Sequence, residues 1–126
     1  MSIMKGNCAD RYKWFKFEAF ECSCCRGNKT SPELIRMLDR ARELAGIPFY
    51  VNSGYRCPKH NREEGGKSTS SHLKGLAADI RCNDSSSRFL IIESLLKVGF
   101  TRIGQGSNFI HCDIDVDKVG DVIWLY

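Results

Sequence analysis

No apolar stretch in this chain approaches the eighteen or more residues of a membrane span, so the sequence offers no transmembrane helix. Met1 to Asp10 lack the apolar core of a secretory signal, which predicts a chain that is cytoplasmic where it is made. There are no repeats, low-complexity tracts or linkers. One domain over residues 1–126 is therefore expected, with 1–11 as an N-terminal tail, and 126 residues suffice to bury a core. No basic run of five or more residues and no nucleic-acid motif occurs. The net charge is nevertheless +4 and uneven, with twelve Lys/Arg against six Asp/Glu in residues 1–62 and seven against nine in 63–126. Such an excess can attract an anionic polymer. A solvated helix face and a basic tail account for it, and no nucleic-acid partner is expected. Histidine is scarce: His60, His72 and His111 are all there is.

Cysteine, by contrast, is plentiful. Seven is an odd count, so at least one thiol stays free unless chains pair. Without an export signal, reduced thiols are the default. Cys22, Cys24 and Cys25 crowd together, and Cys57 stands apart. A second metal site built from them is set aside because C-x-C-C is not the usual C-x-x-C spacing. Packing thiols, or a disulfide in an oxidising space, is the expectation.

Helix punctuation is clear in two places. Ser31 can cap, Pro32 suits the first helical position, Leu34, Leu38, Ala41 and Ala45 recur at helical spacing, and Gly46 stops the run. A second helix is predicted from about Ser87 to Val98, with Ile91, Ile92, Leu95, Leu96 and Val98 on its apolar side and Gly99 as its stop. Phe49–Val51, Leu76–Ile80, Phe109–Val116 and Val122–Tyr126 read as strands. In the third, Ile110, Cys112, Ile114 and Val116 alternate with Phe109, His111, Asp113 and Asp115, so period two puts His111 and Asp113 on one face. The aromatic segment Tyr12, Trp14, Phe15, Phe17, Phe20 is expected to pack over the core. The class predicted is α+β, a small antiparallel sheet with helices packed on it.

Two short stretches hold most of the chemistry: Ser70-Ser-His72-Leu-Lys-Gly75-Leu-Ala77-Ala-Asp79 and Phe109-Ile-His111-Cys-Asp113. They offer two imidazoles and a carboxylate, the ligand set of a catalytic zinc site that leaves its fourth position to water. On an uninterrupted helix His72 and Asp79 would lie roughly ten Å apart along the axis, too far for one ion. The segment must bend, and Gly75 supplies the freedom. His60 sits beside a charged loop and is not expected to be a ligand. Other divalent first-row metals accept nitrogen and oxygen ligands too, but this set suits zinc, one per chain.

With Phe20-Glu-Cys22-Ser-Cys24-Cys25, Ser53-Gly-Tyr-Arg56-Cys57-Pro58, Asn61 and Gly65-Gly66, these motifs resemble the zinc D-alanyl-D-alanine carboxypeptidases. Phage endolysin peptidases, the vancomycin-resistance dipeptidases and the zinc-binding hedgehog domain belong to the same group. The resemblance runs from about Phe15 to the last residue. It implies the hedgehog/DD-peptidase-like fold and zinc on His72, Asp79 and His111. It also implies an arginine, Arg56, facing the substrate carbonyl or carboxylate, with Ser70 near the substrate. Family members place a Glu, Asp or His base shortly before the last ligand, but this chain has Gln105, Asn108 and Phe109 there. Asp113 is the remaining candidate for catalytic base, the other role open to it being a carboxylate that orients a ligand. Glu63 and Glu64 are outsiders.

The function so implied is hydrolysis of peptide bonds in the peptidoglycan stem, as a D-Ala-D-Ala carboxypeptidase or a lysin-type endopeptidase. The enzyme is expected as a monomer that reaches the cell wall through a phage holin or virion. The alternative is a non-catalytic, zinc-stabilised binding module of the same fold.

Overall fold

The computed structural model describes residues 11–126, so nearly all of the expected tail lies outside the described residues. Helix α1, Pro32–Ala45, begins where Ser31 Oγ accepts the Glu33 N–H at 3.2 Å and ends on Gly46 at φ 71°. Helix α2, Pro58–Glu63, is short and was not foreseen, because its capping side chain is the Cys57 thiol. Helix α3 runs Ser85–Val98, two residues earlier than expected, since Asp84 caps it by accepting the Ser87 N–H at 2.8 Å. Two single 3₁₀ turns, Phe17–Phe20 and Ser71–Lys74, complete the helical elements among the described residues.

Among the described residues, five strands form one sheet in the order β1-β2-β4-β3-β5. They are β1 Val51–Ser53, β2 Ala77–Arg81, β3 Arg102–Gln105, β4 Phe109–Asp113 and β5 Val122–Leu125. The first is shifted from the expected Phe49–Val51: Phe49 is buried before the strand, and exposed Tyr50 lies under the Arg81 guanidinium. The strand β3 escaped the sequence reading because four residues containing Gly104 carry little periodicity. Its pairing makes the sheet mixed rather than wholly antiparallel, since β5 joins β3 in parallel.

Alternation sorts the sheet into two faces. Ala78, Ile80, Ile103, Ile110 and Cys112 bury themselves against Leu34, Ile35, Leu38 and Ala41 of α1 and Ile91 and Leu95 of α3. Leu96, expected on the apolar side, is exposed, and buried Ser94 takes an inward place by bonding the Ile91 carbonyl. The β4 alternation stops at Asp113. Beyond it Asp115 and Lys118 build a turn, leaving Val116 92% exposed instead of inward. In the aromatic segment Phe15 and Phe20 enter the core, whereas Trp14 and Phe17 stay exposed. Trp14 is held there by Arg42 over its ring and by a 2.7 Å bond to Glu43.

Candidate active site

The opposite face of the sheet carries one continuous row. Ser53 pairs with Asp79, Asp79 with His111, His111 with Gly104 and Gly104 with Trp124, one residue from each of the five strands. Cross-strand partners share a face and lie within side-chain reach, so Asp79 and His111 meet because of strand register alone. His111 Nδ1 lies 3.0 Å from Asp79 Oδ1. His72 arrives from outside the sheet, on the Ser71–Lys74 turn, and its Nε2 stands 3.3 Å from the same oxygen. That turn ends at Gly75 with φ 72°, and a Cβ there would collide with the Lys29 carbonyl. The bend expected at Gly75 is thus a left-handed residue pressed against backbone.

Each histidine is oriented from behind. His72 Nδ1 donates to the Gly54 carbonyl at 2.7 Å, which leaves a lone pair on Nε2. His111 Nε2 donates to Asp113 Oδ2 at 2.7 Å, leaving Nδ1 toward Asp79. Lone pairs of two imidazoles and a carboxylate converge, one atom from each within 4.8 Å of the others. A cation held between them, a metal ion or a proton on an imidazole, satisfies all three. Burial pushes the His111 pKa down, but the bonds and charges of the Asp113 and Asp79 carboxylates outweigh it and raise it. For Asp79 burial pushes up, and the adjoining His111 and His72 imidazoles overcome it and hold the carboxyl well below its usual range. Two imidazoles oriented through their outer N–H and one buried carboxylate fit a zinc-class ion.

Around this point opens a cavity of about 490 Å³. Arg56 reaches it with its Nε on Ser53 Oγ at 3.0 Å, one terminal nitrogen on Asn61 and the other 3.5 Å from Asp79 Oδ2. Ser70 also lines it, although its hydroxyl accepts the His72 N–H as the cap of the turn. Asp113 lies on the expected face but is 1% exposed, and both its oxygens are engaged. One takes His111, while the other accepts from Arg102 Nε at 2.7 Å and from the Asp115 N–H. Burial raises its pKa, and the His111 bond leads the interactions that lower it overall. Of the outsiders, Glu64 stands at the cavity rim, whereas Glu63 turns toward His60. His60 itself bonds Ser23 at 3.1 Å and does not line the cavity.

The sequence reading missed Arg102, Lys118, Trp124 and Tyr126, all of which line the cavity. The Trp124 ring lies 5.5 Å from His111, a position open because Gly104 has no side chain: a Cβ there would stand 2.7 Å from both Trp124 and Tyr126. No local motif marks these residues. The parallel β3–β5 pairing brings in Trp124 and Tyr126, Arg102 reaches in by its bond to Asp113, and Lys118 comes from the turn after β4 and bonds Ser71.

The polar row faces a cleft on a small mixed sheet, in a chain whose class is that of the peptidases. The chain belongs to the peptidase M15 family, whose pattern it matches over residues 14–113. A comparison with curated proteins finds no match.

Proposed function

We propose that this chain is a zinc peptidase that hydrolyses peptide bonds of the bacterial peptidoglycan stem. The observation that carries the reading is the convergence of His72 Nε2, Asp79 Oδ1 and His111 Nδ1, each fixed by a separate partner, beside an arginine-bearing cleft in a peptidase M15 chain. Bound there, zinc would acidify a water and polarise the scissile carbonyl. The protein's own residues do the rest. Arg56 is held by Ser53 and Asn61 with its guanidinium at the cavity, placed to pair with a substrate carboxylate or with charge developing on the carbonyl oxygen. Lys67 and Lys118 add positive charge to the walls, and Phe109, Trp124 and Tyr126 an aromatic side, which suits a small peptide bearing carboxylates and methyl groups. The fold is of the hedgehog/DD-peptidase kind, and the enzyme works as a monomer delivered to the wall by holin or virion.

Asp113 orients His111 in this reading, since neither of its oxygens is open to a water. Glu64, at the rim, takes the place of candidate base. The occupied Asp113 is also what favours a second reading, a zinc-stabilised binding module without turnover. Digestion of purified cell walls, with released fragments identified by mass spectrometry, separates the two. New peptide ends that vanish with chelator and return with zinc support the peptidase and reveal the scissile bond. Intact walls that retain the protein support the module.

A further inference from the structure

A second cluster of metal-binding side chains lies outside the active-site cavity. Cys22, Cys24, Cys25 and Cys57 bring four Sγ atoms within 4.8 Å of one another. Cys22 and Cys25 by themselves are C-x-x-C, with Cys24 inside the loop, so the spacing does not exclude a metal site. All four are free thiols. Cys24 Sγ stands 3.3 Å from Cys57 Sγ and 3.7 Å from Cys22 Sγ, well beyond the roughly 2.05 Å of a disulfide. A tetrahedron with metal–sulfur arms of about 2.3 Å has edges of about 3.8 Å. The thiols are therefore spaced as ligands rather than as bonded pairs.

The backbone is shaped to serve the sulfurs. The Cys22 N–H bonds the Gly27 carbonyl and the Arg26 N–H the Cys22 carbonyl, each at 2.7 Å, closing the loop tightly with Arg26 in the left-handed region at φ 62°. Gly27, Cys57 and His60 N–H groups point at Cys25, Cys22 and Cys57 sulfurs, each at 3.4 Å. Amide donors aimed at sulfur favour thiolate and orient it, as partners behind metal ligands do. Packing in the core does not explain the cluster, because Cys24 and Cys25 are exposed.

We propose that Cys22, Cys24, Cys25 and Cys57 form a second, structural zinc site in which all four thiolates are ligands. Four sulfurs, joined among the described residues by no histidine or carboxylate atom in the group, give a closed site without an open position, as structural zinc requires. Its place in the fold gives it a task. Cys57 follows Arg56, and the preceding Gly54 carbonyl is the one that orients His72. The ion would tie this segment to the Cys22–Gly27 loop, fixing both from outside the cavity.

Cobalt titration of the full chain, stripped of metal and kept under reductant, tests this without any mutation. Two cobalt ions per chain are expected, one of them producing the intense sulfur-to-cobalt charge-transfer absorption that a histidine–carboxylate site cannot give. The double variant Cys24→Ser/Cys57→Ser should lose that band and bind one ion. The double variant His72→Ala/His111→Ala should keep it and also bind one, which separates this site from the first whether or not the protein is a peptidase. Filling the thiolate site should raise the melting temperature by about 10 °C or more. One ion per unmutated chain with no sulfur band overturns the proposal, as does a Cys24–Cys57 disulfide that persists under reductant.

Discussion

At the scale of single residues, the convergence of His72, Asp79 and His111 was legible because they sit in short motifs whose spacing means something. The seven residues from His72 to Asp79 demanded a bend, and strand alternation put His111 and Asp113 on one face. What was not legible is who holds whom. Arg102 binds Asp113 across eleven residues, and that bond changes what Asp113 can do. Asp113→Asn should weaken zinc binding by about ten to a hundredfold, and added zinc should restore much of the rate. A base would behave differently: zinc retained, with turnover down by on the order of a hundred to ten thousandfold whatever the zinc supplied. Zinc titration alongside hydrolysis rates distinguishes them. Arg56 gives the complementary case. Arg56→Ala should leave zinc content intact and cut turnover roughly a hundredfold or more, and lysine should rescue little because it lacks the planar fork. Loss of folded protein with normal activity per folded molecule would make Arg56 structural instead.

At the scale of elements, the sequence announced those with strong punctuation. Helix α1 has a serine cap, a first-turn proline and a terminal glycine, and it appears within its expected bounds. The short elements α2 and β3 lack such signals, one capped by a thiol and the other too brief for a period. Strand β5 was anticipated, but its parallel pairing with β3 depends on the whole chain path and no local pattern encodes it. That pairing matters for the site, because Gly104 lets Trp124 lean toward His111. Gly75 offers the sharper test of element geometry. Its φ of 72° and the Lys29 carbonyl beside it leave no room for a side chain. Gly75→Ala should therefore cost about 1–3 kcal/mol in strain, before any displacement of the His72 turn. Urea unfolding reads the stability loss, and zinc affinity should fall with it. An unchanged midpoint would mean that the bend is not fixed by this residue.

At the scale of the whole molecule, the site depends on holding a turn from the middle of the chain against a loop near its end. Asp115 is the fastener. It is 2% exposed, its carboxylate accepts from Ser71 Oγ at 2.7 Å beside His72, and Lys74 and Lys118 stand 3.1 and 3.7 Å away. Burial alone would raise its pKa, but the Ser71 and Lys74 bonds outweigh that and lower it. In the unfolded chain an aspartate takes up its proton near pH 4. Below that pH the unfolded state binds a proton that folded Asp115 resists, so folding loses stability as pH falls toward the lowered native value. The stabilisation is fully present at neutral pH. Asp115→Asn removes both the charge and its titration. Relative to the unmutated protein, the variant should be less stable at pH 7, and the gap should narrow as pH is lowered below about 4. Urea unfolding midpoints of the two proteins, compared buffer by buffer so that shared carboxylates such as Asp84 cancel, provide the measurement. A gap that stays constant from neutral to acid pH would show that Asp115 fastens the turn by shape alone, with no contribution from its charge.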